Sequence, residues 1–167
     1  MPGEARWLVL AWRLPSGSST PRVTLWRSLK RLGAATLTPG AALLPHREET
    51  VEQLGWLAHE VEEQGGDAWL LPVTDLAEAE ESAVRDQVNG EREAEYRELE
   101  EAAMRLIARS PDSPPSARES QALLDRFNRI RGRDHFGAAG QRKARRAVER
   151  CAALSSRSGN PLETARR

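Results

Sequence analysis

A chain of 167 residues with 30% charged side chains and a mean hydropathy of -0.62 has room for one proper core and a helical appendage. No apolar run approaches the roughly 20 residues of a membrane helix, the N-terminus lacks the features of a secretory signal, and the single Cys151 excludes an intramolecular disulfide and a multi-cysteine zinc site. A cytoplasmic protein with no membrane partner is therefore expected.

The formal net charge of zero hides a segregation: residues 1–40 carry net +5, residues 41–109 net −12 and residues 117–167 net +8. Basic ends around an acidic centre serve an anionic partner, or they pair with that centre within the chain or across a dimer.

In chain order, the first four residues read as a tail. Trp7–Trp12 is a continuous apolar run between Arg6 and Arg13, as in a strand buried between neighbours. After the turn LPSGSS, Thr20 as N-cap and Pro21 at the first helical position open a helix. It turns Val23, Trp26, Leu29 and Leu32 to the core and Arg22, Arg27, Lys30 and Arg31 away, and stops at Gly33. Strands Ala34–Thr38 and Ala41–Leu44 flank a Pro39-Gly40 turn. A second helix, about Glu48–Gln64, places Val51, Leu54, Ala58 and Val61 inward and ends at Gly65-Gly66. Asp67–Val73 is the last strand, with Pro72 at its end or on an edge.

A third helix, about Ala77–Arg109, has Gly90 as the position where it would bend. The prolines of residues 110–116 form a linker. Ser116 and Glu119 make a capping box that opens a helix to about Arg131, with Leu123, Leu124, Phe127 and Ile130 inward. After a break at Gly132–Gly140, the last helix runs from Gln141 to about Leu154, with Ala144, Val148, Cys151 and Leu154 on one side and arginines crowding the rest. The expected fold class is therefore α+β. Residues 1–75 form a ferredoxin-like βαββαβ core, residues 76–155 a helical C-terminal extension packing on it, and residues 156–167 a disordered tail.

With RWLVLAWRLPSGSSTPRVTLWRSLKRLGAATLTPGAALLP, EEQGGDAWLLPV and RIRGRDHFGAAG all in view, the chain resembles the N-terminal domain of the ChrB family of chromate-resistance regulatory proteins, from Arg6 to about Leu154. The resemblance implies a cytoplasmic transcriptional regulator of a chromate-efflux operon, with this portion as its DNA-contacting, dimerising and non-enzymatic half. No cofactor is implied. Family members continue into a second, larger domain, so the chain is expected to act alone or with a separately encoded ChrB C-terminal domain, as a protein-interaction module in the second case. The unit is also similar to one in phenylacetate-responsive repressors and CRISPR adaptation nucleases, which keeps a metal-dependent nuclease among the alternatives. Those nucleases use a carboxylate near the end of the first strand, where this chain has Arg13-Leu14.

The candidate DNA contacts are Arg22, Arg27, Lys30, Arg31, Arg126, Arg129, Arg133, Arg142, Arg145 and Arg146, because the guanidinium fork suits phosphate. The plainer reading pairs them with the acidic helices or leaves them solvated. Arg22, with the amides after Thr20, and His135 are candidate oxyanion contacts. Trp7, Trp12, Trp26, Trp56 and Trp69 are expected in the core or at a subunit interface. His46, His59, His135 and Cys151 fall in separate elements, so neither a metal site nor a catalytic group is expected.

Overall fold

A computed structural model of the chain describes residues 5–16, 19–109 and 113–158. The expected N-terminal tail, part of the first turn, the start of the Pro-rich linker and the last nine residues lie outside them. The chain forms two compact units, Met1–Val88 and Asn89–Arg167.

The first unit contains β1 (Trp7–Arg13), α1 (Ser19–Leu32), β2 (Ala35–Thr38), β3 (Ala41–Pro45), α2 (Glu48–Glu63), β4 (Asp67–Val73) and the start of α3 (Glu78–Ile107). The strands lie in the order β2-β3-β1-β4 with antiparallel neighbours, the ferredoxin-like arrangement expected of this element order. Central β1 pairs on both sides, Leu10 standing between Ala42 and Leu70, which explains its continuous apolar run. Leu8 and Leu10 join Ala42 and Leu44 beneath Leu25 and Leu29 of α1 and Leu54, Leu57 and Val61 of α2. Gly33 and Gly65 end the two helices at φ 74 and 75, the left-handed conformation that glycine adopts without a Cβ clash. Behind Gly33 the Ala34 amide donates to the Leu29 carbonyl at 3.0 Å.

Two helices are rotated from their expected phase. On α1 the buried positions are Leu25, Ser28 and Leu29, while Val23 and Trp26 face solvent. Leu25, Leu29 and the half-buried Leu32 repeat at i, i+4, i+7, a straighter stripe than the one through Val23 and Trp26. On α2, Thr50 is buried where Val51 was expected, because its hydroxyl donates to the Pro45 carbonyl at 2.6 Å and accepts from the Arg47 amide at 2.9 Å. On the other side of β1, the start of α3 is tied down by charge. Glu81 accepts from Arg6 at 3.1 Å and from Arg85 at 2.8 Å, and the Arg85 guanidinium lies 5.9 Å from the Trp7 ring.

The second unit holds the rest of α3, α4 (Ala117–Gly132) and α5 (Gln141–Ser158). Tyr96, Leu99 and Ala103 of α3 pack with Leu123, Phe127 and Ile130 of α4 and Ala144, Val148 and Cys151 of α5. Leu124, expected inward, is exposed. Helix α5 continues past Leu154, so residues 156–158, expected in a disordered tail, are helical; the Ser155 and Ser156 hydroxyls donate back to the Ala152 carbonyl.

Two networks fix this unit. At the start of α4, the Glu119 amide donates to the Ser116 hydroxyl oxygen at 3.2 Å and the Ser116 amide donates to Glu119 at 2.9 Å, the capping box read from the sequence. Before α5, Asp134 accepts from the Tyr96 hydroxyl at 3.1 Å and from the Gly137 and Ala138 amides at 2.9 and 3.0 Å, which folds the RDHFGA block against α3.

The Arg109 guanidinium, followed by the Ser116 amide and hydroxyl, pulls the Glu119 carboxyl down to about 2. A carboxyl with a lower pKa folded than unfolded stabilises fully above its ordinary value of 4.5 and ceases to do so as pH falls towards 2. Glu119→Ala is expected to lower the thermal midpoint at neutral pH, the difference from the parent shrinking through that window; a difference independent of pH there contradicts this. Burial first, and then the Asp134 charge, push the Tyr96 hydroxyl up to about 12. The folded state therefore holds this proton more tightly, so its contribution is complete below pH 10 and lost as pH rises towards 12. Tyr96→Phe is expected to cost about 1 kcal/mol in urea unfolding at pH 8 and to flatten the alkaline limb; an unchanged urea midpoint at pH 8 contradicts the bond to Asp134.

Candidate nucleic-acid interface

The ten candidate cations fall into two sets, one in each unit. Arg22, Arg27, Lys30 and Arg31 belong to α1, and the other six to α4, the loop after it and α5. A helix exposes what its buried stripe does not claim, and on α5 that stripe is narrow: Ala144, Ala147, Val148 and Cys151 are buried. The remaining surface carries Arg142, Lys143, Arg145, Arg146, Arg150 and Arg157, with Glu149 the helix's only carboxylate. Arg145 takes Glu149 at 2.8 Å. Arg142, Arg146 and Arg150 recur every four residues along one exposed ridge of about 12 Å and meet no carboxylate among the described residues.

The first turn of α5 contains no acidic residue, and Arg142 and Lys143 stand there instead. Cations at the positive end of a helix dipole destabilise the helix and raise the local potential, which an anion relieves. Lys143 and Arg150 lie on the basic side of this helix that the sequence reading gave, and the four-residue spacing from Arg142 through Arg146 puts Arg150 on the same ridge.

Ion pairs engage three of the candidates. Arg126 meets Glu98 at 2.8 Å, Arg133 meets Glu95 at 2.9 Å, and Arg145 has its helical partner. The plainer reading of the basic residues therefore holds for Arg126 and Arg133, which join α4 and its following loop to acidic α3. Arg129 is exposed and meets no carboxylate among the described residues.

On α1, Arg22 donates to the Pro15 carbonyl at 3.2 Å, Arg31 donates to the Ser28 hydroxyl oxygen at 2.8 Å, and the Lys30 ammonium lies 5.9 Å from the Trp26 ring. Arg27 is exposed. None of the three arginines meets a carboxylate among the described residues. Helix α1 starts at Ser19, one residue before Thr20. Arg22 and His135, the candidate oxyanion contacts, belong to different units. His135 is half-buried, its ring 6.4 Å from that of Phe136.

The tryptophans divide. Trp7 is buried and Trp12 half-buried, whereas Trp26, Trp56 and Trp69 are 53%, 67% and 53% exposed, which removes them from the core and leaves the interface half of the expectation for these three. Arg13, at the end of β1, bonds Asp67 of β4. Among the described residues, no three His, Cys, Asp or Glu side chains group so as to hold a metal ion. No helix among them is long and apolar enough to cross a membrane.

Comparison with known proteins places this geometry. A family model described as Protein ChrB, N-terminal, matches residues 22–106, from α1 into α3, and does not reach the Arg129–Ala138 block. Protein ChrB of Cupriavidus metallidurans is 39% identical over 96 residues, which are 58% of this chain and 26% of that protein. The match thus spans about a quarter of that relative's length. No solved structure matches the chain significantly. With the family model covering just over half of its residues, and with the α+β core observed, the chain belongs to the ChrB N-terminal family.

Proposed function

We propose that this chain is a cytoplasmic, ChrB-like regulator of chromate resistance that binds DNA without catalysis, gripping phosphates through the exposed face of α5. The observation that carries the reading is the ridge Arg142, Arg146 and Arg150, which meets no carboxylate among the described residues, on a helix with no acid in its first turn. Sequence-independent attraction to the DNA backbone needs such a face, and base recognition is added by whatever side chains reach a groove beside it. Family membership supplies the link to chromate resistance. Arg129 on α4 adds a further unpaired guanidinium, while Arg126, Arg133 and Arg145 position helices.

A second reading, a protein-interaction module, draws on Trp69 and Leu71, 53% and 48% exposed on edge strand β4. The nuclease alternative lacks grouped carboxylates among the described residues.

Fluorescence anisotropy with the chain's own upstream duplex and a scrambled one, across a salt series and with or without chromate, tests the regulator. Specific binding is expected. Substituting both Arg142 and Arg146 by Ala should weaken it and lower the slope of log K against log salt by about 2, whereas Arg145→Ala should change it less. Weak and equal binding of both duplexes at physiological salt would overturn the reading. Release by chromate would place sensing within this chain.

A further inference from the structure

The two helices that cover the sheet of the first unit carry opposite charge. Helix α1 has four basic residues and no acid, and α2 has six glutamates and no lysine or arginine. Both lie on the same face of the sheet, sharing the core of Leu25, Leu29, Leu54 and Leu57. They are neighbours, and yet no arginine of α1 pairs with a glutamate of α2 among the described residues. Within α2, Glu63 meets His59 at 3.6 Å.

Between the helices runs an open groove of about 570 Å³, lined on one wall by Ser28 and Arg31 and on the other by Trp56, Glu60 and Glu63. The layer is also apolar where a surface layer usually is not. Trp56 on α2 lines the groove and is 67% exposed. A large apolar side chain between a basic and an acidic helix face is the make-up of a self-complementary surface.

We propose that the α1–α2 layer is the interface of a homodimer, in which the basic α1 of each copy lies on the acidic α2 of the other. A two-fold axis running along the groove stacks each helix on its opposite, so every contact occurs twice and the charges cancel. An axis perpendicular to the groove within the interface would set α1 on α1 and α2 on α2 and is opposed by like charge. Trp56 then meets the partner's α1, and the groove closes around it as the central anchor. The partner is a second copy because the complement to each half of the layer is present in the other half. The arginines of α1 are consumed in this contact, which leaves phosphate binding to α5.

Sedimentation of the full chain and of two charge-inverted variants is the test. Arg27→Glu with Arg31→Glu takes α1 from a net charge of +4 to 0, and Glu52→Arg with Glu60→Arg takes α2 from −6 to −2, so that each weakens the attraction between the two helices; all four side chains are surface residues. Each variant alone is expected to dimerise at least about tenfold more weakly than the parent. Mixed one to one, the variants should form a heterodimer tighter than either variant's homodimer, because one α1–α2 pair is then parental and in the other the new glutamates of α1 face the new arginines of α2. A monomeric parent at all concentrations overturns the proposal, as does a dimer unmoved by either variant, which would direct attention to the β4 edge. Weakening by the variants without rescue on mixing also overturns it, since an unrelated loss of stability would do the same.

Discussion

The second unit depends on the burial of a narrow stripe of small side chains on α5. Ala144, Ala147, Val148 and Cys151 fit against Leu123, Phe127 and Ile130 of α4 and Tyr96 and Leu99 of α3. Alanine and cysteine let helices approach closely while claiming little of the helix circumference, so most of α5 remains for charge. The loop before it is held by one carboxylate, Asp134, which gathers a phenol and two amides that would otherwise compete for water in a half-buried site. Packing and loop together fix where the arginine ridge stands.

The two basic helices differ in what lies beside them. Helix α1 sits next to α2, whose six glutamates meet none of the α1 arginines among the described residues. Helix α5 sits next to α4 and α3, where Glu119 is held by Arg109, Asp125 accepts from Gln121, and Glu98 and Glu95 are held by Arg126 and Arg133. A positive surface beside unengaged acid suits a charged protein contact; one whose acidic neighbours are engaged by other arginines suits a polyanion. The same residue type at similar density thus points to two different partners, and only the neighbours separate them.

Element identity was legible because the signals were local. Gly33, Gly65 and the Ser116–Glu119 box each act over one helical turn, and the apolar run of β1 needs only the knowledge that a central strand is covered on both sides. Side-chain direction was less legible. Five apolar residues on α1 span a wide arc, and the choice of Leu25 over Trp26 was made by the sheet beneath, where Ala42 and Leu44 accept a leucine at i and i+4. Likewise Val51 yielded to Thr50 because a hydroxyl there serves the chain entering α2. That some arginines pair with the acidic helices was legible, but which ones was not: Arg126 and Arg133 find Glu98 and Glu95 from 28 and 38 residues away, and nothing in the sequence marks them apart from Arg129, which pairs with nothing described.

The claim that α5 is the surface that meets nucleic acid is tested most directly by following the arginine side-chain Nε–Hε signals of the full chain by NMR as the upstream duplex is added. Signals of Arg142, Arg146 and Arg150 should shift and broaden first and most, with Arg126 and Arg133 little changed at low duplex ratios. Shifts concentrated on Arg22, Arg27 and Arg31, with the α5 signals unmoved at saturation, would contradict the assignment and return phosphate binding to α1.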